Sequence, residues 1–475
     1  MRGLDKEILR LALPSILANI TVPIVGMVDI AVAGHLQGDA LLGAAAFIGG
    51  ISIGSMLFDL LYWNFAFLRV GTGGLTAQAF GRGDLKECAR VFSRALVIAL
   101  QCAALILAIQ WPFSKLAFLA IDCSPEVKQL ALQYFFIRIW AAPATLSLMA
   151  FRGWFIGMQD SVSSMTTDLV VNGVNIAASI ILSIGVGSWP GLGFKGVALG
   201  TLLAQYSGLA YAAAKVLLKY RHVFRGFGRG ELRTAFGRSE MKVFSAMNRD
   251  IFVRSLCFTG IYIGFTVISA RFGDLMLASS AIMMKLLMIF SYFTDGFAYA
   301  GEALTGRFIG EGSLERTRLA VKHVFVWSMS LVALFMVVYS LAGVPLLRMM
   351  TSDEEVVQAC RQFLPWLILM PPIGCAAFTW DGIYLGATAS RGVRNGMLAA
   401  LVAFFAVWFV GIVILRAGSG MSIFSSAADN ATATTRFQAM AIHVLMIAYF
   451  AHLLARSVVL TLLYRREVLA RHFSL

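Results

Sequence analysis

Twelve apolar stretches, each about 20 residues or longer, follow one another along this chain and leave little else to fold. An α-helix needs about 20 residues to cross the hydrocarbon core of a bilayer. A helix also satisfies its own backbone N–H and C=O groups, which hydrocarbon cannot do for it. The stretches lie near 12–34, 42–67, 91–111, 129–151, 162–186, 192–216, 243–269, 276–301, 321–343, 360–384, 394–415 and 438–463. With 59% hydrophobic and 13% charged side chains, the 475 residues carry too little polar surface for a water-soluble fold. The predicted class is an all-α polytopic membrane protein with twelve transmembrane helices. The charged start, Met1 to Arg10, runs straight into the first stretch as in a cleavable signal, but eleven further spans make it the first helix.

Charge then sets the orientation. With the N-terminus in the cytoplasm, about 27 of the 39 Lys and Arg residues fall on the cytoplasmic side and about 8 outside, the asymmetry of the positive-inside rule. Both termini are expected to be cytoplasmic, in a bacterial-type inner membrane. The formal charge of +14 is read as this orientation signal, and no nucleic-acid partner is expected. The most basic segment holds Lys219, Arg221, Arg225, Arg229, Arg233 and Arg238 among glycines. It is expected to be a solvated linker, residues 219–242, touching anionic lipid headgroups between a lobe 1–218 and a lobe 243–475. A glycosylation-type triplet, Asn430-Ala-Thr432, lies in the Ser- and Thr-rich loop before the last span.

An internal repeat supports the two lobes. Gly81-Arg-Gly-Asp-Leu85 aligns with Gly310-Glu-Gly-Ser-Leu314, Pro143 with Pro372, Gly153 with Gly382 and Gly157 with Gly386, all at one offset near half the chain. Gly38-Asp39 pairs with Gly273-Asp274 at a slightly longer offset. Six helices repeated after an even number keep their orientation, which predicts parallel lobes related by a pseudo-two-fold axis along the membrane normal.

A carboxyl group inside a spanning helix costs several kcal/mol when ionised and unpaired, so it faces a cavity, finds partners or holds a proton. Asp29 is the one acid inside the first apolar run. A functional switch and a structural hydrogen-bonded acid are both open for it. Asp168, Asn172, Asn175, Ser179 and Ser183 share a face of the fifth span; Thr201 and Gln205 lie one turn apart on the sixth, and Tyr134 lies on the fourth. These could form a hydrogen-bonding cluster around Asp29, or interhelical glue. In the second span Ser52, Ser55, Asp59 and Tyr62 share a face, and in the eighth Lys285, Tyr292, Asp295, Tyr299 and Glu302 do so. Repeat symmetry makes these two spans equivalent, so the stripes could line a shared cavity, with Met288 as a flexible apolar contact or a core residue. Enzyme chemistry finds no support: there is no phosphate loop, HExxH or nucleophile elbow. His443 and His452 are half a turn out of phase for one metal, and the six cysteines have no ligand spacing. No catalytic residue, cofactor or metal is expected.

The segments Phe67-Leu-Arg-Val-Gly-Thr-Gly-Gly-Leu-Thr-Ala-Gln-Ala-Phe-Gly81, Asp295-Gly-Phe-Ala-Tyr-Ala-Gly-Glu-Ala-Leu304 and Trp380-Asp-Gly-Ile-Tyr-Leu-Gly-Ala-Thr388 resemble the multidrug and toxic compound extrusion (MATE) transporters, specifically their DNA-damage-inducible protein F subgroup. The resemblance covers nearly the whole chain. It implies a two-lobe exporter that exchanges small amphipathic, often cationic, compounds for protons or sodium ions; the chain is expected to act as a monomer. The resemblance carries the coupling-ion role to Asp29 through Val28-Asp-Ile-Ala-Val-Ala-Gly34, and Tyr134, Asn175 and Thr201 match the same network. The usual pattern has an acid four residues after the asparagine, where Ser179 stands here, which weighs against two-carboxylate coupling and a sodium site. Arg152 and Asp381 occupy equivalent repeat positions, either as a charged inner gate or as separate structural pairs. A proton-coupled multidrug antiporter is the expected function. Sodium coupling, a lipid or cell-wall-precursor flippase, and a non-transporting sensor or scaffold are the alternatives.

Overall fold

The computed structural model describes residues 2–36, 44–121, 123–351, 353–419 and 431–473, so Gly38-Asp39 and Asn430 of the triplet lie outside the described residues. The first lobe comprises α1 (Arg2–His35), α2 (Ala44–Tyr62), α3 (Phe67–Gly81), α4 (Leu85–Ala120), α5 (Pro125–Arg138), α6 (Ala142–Gly157), α7 (Ser161–Ile184) and α8 (Phe194–Lys219). A short α9 (Arg229–Ala235) leads to the second lobe: α10 (Arg238–Ala270), α11 (Asp274–Gly310), α12 (Leu314–Met350), α13 (Glu354–Arg361), α14 (Leu364–Gly386), α15 (Ser390–Ser419) and α16 (Ala431–Tyr464). Among the described residues twelve segments are long and apolar enough to cross a membrane, with α2 and α3 in one and α5 and α6 in another.

The helices run past the expected ends, because charged residues end an apolar run without ending a helix. α11 continues to Gly310 and α12 begins at Leu314, beyond the charges that bounded those stretches. The second span breaks into a single 3₁₀ turn at Trp63–Phe65. Asn64 Nδ2 there donates to the Leu60 carbonyl (2.7 Å), the local competition that bends a helix. Its repeat counterpart Phe293 has no such group, and α11 stays unbroken. α1 continues through both Pro14 and Pro23.

The repeat appears as paired local structure. Gly83 and Gly312 both adopt a positive φ, 73° and 72°, in matching turns. Asp84 then caps α4 by accepting from Glu87 N, and Ser313 caps α12 by accepting from Arg316 N. Gln159 and Thr388, also equivalent, share φ values of 61° and 53°. The repeated glycines permit backbone contact. A Cβ at Gly153 would strike the Arg69 carbonyl, and one at Gly382 the Ala298 carbonyl, the equivalent atom in the other lobe. Gly81 and Gly310 meet reciprocally across the lobes, against the carbonyls of Arg307 and Gln78. Gly382→Ala is therefore expected to lower stability by about 1–3 kcal/mol, the usual cost of overpacking, and Gly153→Ala by a similar amount, as read by thermal unfolding in detergent.

The basic segment departs from the solvated linker expected for residues 219–242. Tyr220 and Val223 are buried, and with Phe224 and Phe227 they pack around Trp154 and Phe92. α9 docks on α4 through Arg90 to Glu231 (2.6 Å) and through Arg94 Nε, which donates to the Ala235 carbonyl (2.8 Å). The four apolar anchors stand at i, i+3, i+4 and i+7, a helical spacing, but over only eight residues crowded with Arg, His and Gly, which is why the sequence reads as linker. Asp160, just before α7, holds this segment by accepting from Lys219 Nζ (2.6 Å), Tyr220 Oη (2.6 Å) and Ser163 N (3.2 Å). Burial raises the pKa of Asp160, but these hydrogen bonds and the Lys219 charge outweigh it and bring the pKa below the ordinary carboxylate value. Its stabilisation is present above the unfolded-state value of about 3.9 and is lost as pH falls through the lower folded-state value. Asp160→Asn is expected to cost about 1–3 kcal/mol at pH 7 and less at pH 3, as thermal unfolding at the two pH values would record.

Candidate functional site

In the first lobe Asp29 lies on α1, 7% exposed, where α1 packs along α7 and α2. Ser179 of α7 lies beside its carboxyl without a hydrogen bond to it, and Arg138 at the end of α5 is the cation whose charge acts on it. Asn175 Nδ2 donates to Thr201 Oγ1 (3.0 Å), joining α7 to α8, and Asn172 Nδ2 donates to Thr21 Oγ1 (2.5 Å), joining α7 to α1. Among the described residues, Asp29 Oδ1, Asn175 Oδ1 and Ser179 Oγ are buried with no hydrogen-bond partner. The cluster thus contains both glue and unspent hydrogen-bonding capacity. α7 and α8 approach closely because Gly196 and Gly200 lie against the α7 backbone at Leu182 and Ser179. Tyr134 is fully buried and its hydroxyl accepts from Arg138 Nη1 (2.9 Å). Gln205 is half-buried and makes no hydrogen bond among the described residues. Asp168, on the same α7 face, instead meets Arg152 of α6, with Nε to Oδ1 at 2.6 Å.

The second cluster lies between the lobes. Asp59 is exposed on α2, and its charge reaches Tyr262 and Tyr292 of the second lobe. Tyr62 is half-buried, stacks on Phe58 at 5.5 Å between centroids, and leaves its hydroxyl unpaired among the described residues. Trp63 meets Tyr262 across the lobes at 5.2 Å. Asp295 feels Arg69, Arg254 and Arg456, and Tyr299 lies under the Arg69 guanidinium at 4.5 Å. The structure therefore brings Asp59, Tyr292, Asp295 and Tyr299 to one region, while Tyr62 stays with Phe58 and Arg138 in the first lobe. Met288 packs against the core of the second lobe, with Met283 and Met284 buried beside it. Glu302 does not line the cavity: it is fully buried, lies against Gly73 of α3 and pairs with Arg69 at 3.2 Å.

Arg152 and Asp381 form no common gate. Arg152 pairs with Asp168 in the first lobe, while Asp381 is clamped by Arg254 and Arg456 in the second. The contact that does join the lobes is Arg69 to Glu302. Gln78 Nε2 adds a bond to the Gly386 carbonyl (3.1 Å) and Gln159 Nε2 one to the Ala303 carbonyl (2.7 Å). Asp5 accepts from Trp327 Nε1 (3.1 Å) and contacts His323 Nδ1 (2.8 Å). These contacts lie in the half of the molecule that carries both termini, where the lobes are joined. Arg69, Arg138, Arg254 and Arg456 were absent from the sequence-based site. The cost argument applied to Asp29 applies equally to Arg138, Arg254 and Arg456 inside their apolar runs and would have singled them out; Arg69 lies just beyond the 42–67 stretch.

Two equivalent six-helix lobes, with charged and aromatic side chains gathered between and within them, define a polytopic membrane protein of the two-lobe transporter class. The family model described as MatE matches residues 14–181 and 251–393. The chain is 35% identical over 406 residues to DNA damage-inducible protein F of Escherichia coli (strain K12), covering 84% of each chain. It is 21% identical over 403 residues to a probable multidrug resistance protein NorM of Thermotoga maritima, covering 85% of this chain and 83% of that one. A crystal structure of MATE in the bent conformation superposes with a TM-score of 0.79 at 15% identity, covering 98% of this chain and 96% of that one. A eukaryotic MATE transporter superposes with a TM-score of 0.77 at 15% identity, with the same coverage. The chain belongs to the MatE family of multidrug and toxic compound extrusion transporters.

Proposed function

We propose that this chain is a proton-coupled antiporter that exports amphipathic, cationic compounds by alternating access, working as a monomer in a bacterial-type inner membrane with both termini in the cytoplasm. The observation that carries the reading is Asp29: one buried carboxyl, with an unpaired oxygen, among amides and hydroxyls that can bond either of its protonation states. A proton needs only the one carboxylate of Asp29, whereas a sodium ion needs several oxygen ligands, and Ser179 in place of a second acid supplies a weaker one. Protonation changes which of Ser179 and Asn175 the carboxyl can engage, and so biases the packing of α1 on α7 between two states. The closed terminal face and the matched lobes supply the two-state element.

The four interior arginines favour a second reading, movement of an anionic lipid headgroup. Arg69 pairs with Glu302, Arg254 and Arg456 pair with Asp381, and Arg138 lies near the carboxylates of Asp29 and Asp59, so these arginines stand among acids and offer no bare positive field, which argues against it. Proteoliposomes with proton and sodium gradients imposed separately test the proposal. Drug flux driven by the pH gradient alone is expected. Flux driven only by sodium, or headgroup translocation without drug flux, would overturn it.

A further inference from the structure

A cavity of about 260 Å³ lies between the lobes beside Gln78, in the half of the molecule that carries both termini. Its first-lobe wall comes from α3, α4 and the turn between them, and its second-lobe wall from the start of α10. The charged lining is Arg82, Asp84, Glu87, Arg94 and Glu240, and Leu75, Val91, Val243 and Phe244 complete the walls. Val91 and Val243 are also where the apolar stretches 91–111 and 243–269 begin, while Asp84, Glu87 and Glu240 stand just before them. The cavity therefore straddles the level at which charged residues give way to a hydrocarbon-spanning run, which is the level of lipid headgroups.

Arg94 is fixed in the wall with hydrogen-bonding capacity to spare. It is 2% exposed, its Nε is spent on the Ala235 carbonyl, and its guanidinium lies 5.6 Å from the centroid of the buried Phe244 ring. Glu87 and Glu240 each approach Nη2 only to 3.8 Å, beyond hydrogen-bond distance, and among the described residues Nη2 is buried with no hydrogen-bond partner. A buried guanidinium nitrogen without an acceptor is costly, so it points to an acceptor from outside the chain. The lining also selects the charge of that acceptor's molecule. A bare anion would meet three carboxylates and a bare cation two guanidinium groups, whereas a compact group carrying both signs meets partners for each. At about 30 Å³ per water molecule the space holds about nine waters, the scale of a small polar headgroup.

We propose that this cavity binds the phosphoethanolamine headgroup of a membrane phospholipid. The phosphate oxygens accept from Arg94 Nη2 and from Arg82, and the primary ammonium donates to Glu240 and Glu87. A primary ammonium has N–H groups to donate to carboxylates; the trimethylammonium of a choline headgroup has none. Because the walls belong to both lobes, the bound headgroup ties α4 to α10 and stabilises the closed face between them. None of the residues invoked for export lines this cavity, so the site does not rest on the export reading.

Dioleoylphosphatidylethanolamine, dioleoylphosphatidylcholine and dioleoylphosphatidylglycerol share their acyl chains and differ only in the headgroup. Equilibrium binding of each to purified full-length protein in detergent is compared for the natural chain, Arg94→Gln and Glu240→Gln, with thermal unfolding as a check of folding. The natural chain is expected to bind the ethanolamine lipid about tenfold more tightly than either of the others, and both variants to lose that preference. The Glu240 side chain is 46% exposed, so Glu240→Gln supplies the comparison if Arg94→Gln does not fold. Equal binding of the three lipids by the natural chain, a preference for the glycerol lipid, or an ethanolamine preference that survives in the folded variants overturns the proposal. Soluble glycerophosphoethanolamine has the same head without the chains and is expected to compete only weakly; competition as strong as the lipid's own would overturn the lipid as the ligand.

Discussion

Asp29→Asn is expected to abolish pH-gradient-driven drug efflux in proteoliposomes, a loss of about a hundredfold or more, while leaving thermal stability equal to or above that of the natural chain. The two halves of this result have one cause. A carboxylate in a membrane interior is held at a cost, and an asparagine side chain in its place would keep the shape and the capacity for hydrogen bonds without a charge to desolvate. Were Asp29 a structural acid, its removal would instead strand the neighbouring polar atoms and lower stability. Those neighbours already include unpaired atoms, Asn175 Oδ1 and Ser179 Oγ. The substituted amide can donate to either of them. Drug flux at the natural rate in the mutant would remove Asp29 from the mechanism.

Glu302→Ala is expected to destabilise the protein by about 3–5 kcal/mol, the largest single loss anticipated anywhere in the chain, because it leaves Arg69 without its partner at the junction of the lobes. Glu302 is fully buried and Arg69 is 18% exposed, so water cannot replace the lost carboxylate without reopening the packing. The space is also confined, since Glu302 lies directly against Gly73 where no side chain can fill in. The paired substitution Arg69→Met with Glu302→Gln removes both charges and is expected to recover most of the loss. Thermal unfolding of the single and double variants measures the difference. A double variant no more stable than Glu302→Ala would show that packing, and not charge, is what the pair supplies.

Hydropathy made the twelve spans legible, because the length of an apolar run is a local quantity and the bilayer imposes its length directly. The repeat was legible for the same reason: Gly83 and Gly312 perform the same turn, and a turn is specified by the residues within it. Helix ends were less legible. Asn64 breaks the second span through one side-chain bond, while the charges near 301–310 do not break the eighth. The candidate site was legible in part. Asp29, Asn175, Ser179 and Thr201 do come together, as do Asp59, Tyr292, Asp295 and Tyr299. Asp168 shares a helix face with Asn172 and Asn175, yet α6 places Arg152 against it and removes it from the Asp29 cluster. The basic segment after α8 looked solvated because its anchors, Tyr220, Val223, Phe224 and Phe227, bury against partners far away in the chain.

The fold class, the number of spans, the two equivalent halves and the one acid most costly to place in the first helix can all be read along the chain. Each follows from composition and spacing within a single segment. Which charges meet depends on how the helices pack: Arg69 with Glu302, Asp381 with Arg254 and Arg456, and Arg138 with the rings of Phe58 and Tyr134. Helical periodicity says which side chains share a face, but it does not say which face of another helix will lie opposite. A hydrogen-bonded ion pair needs its atoms in direct contact, so partner choice rests on the rotation and depth of helices far apart in the chain.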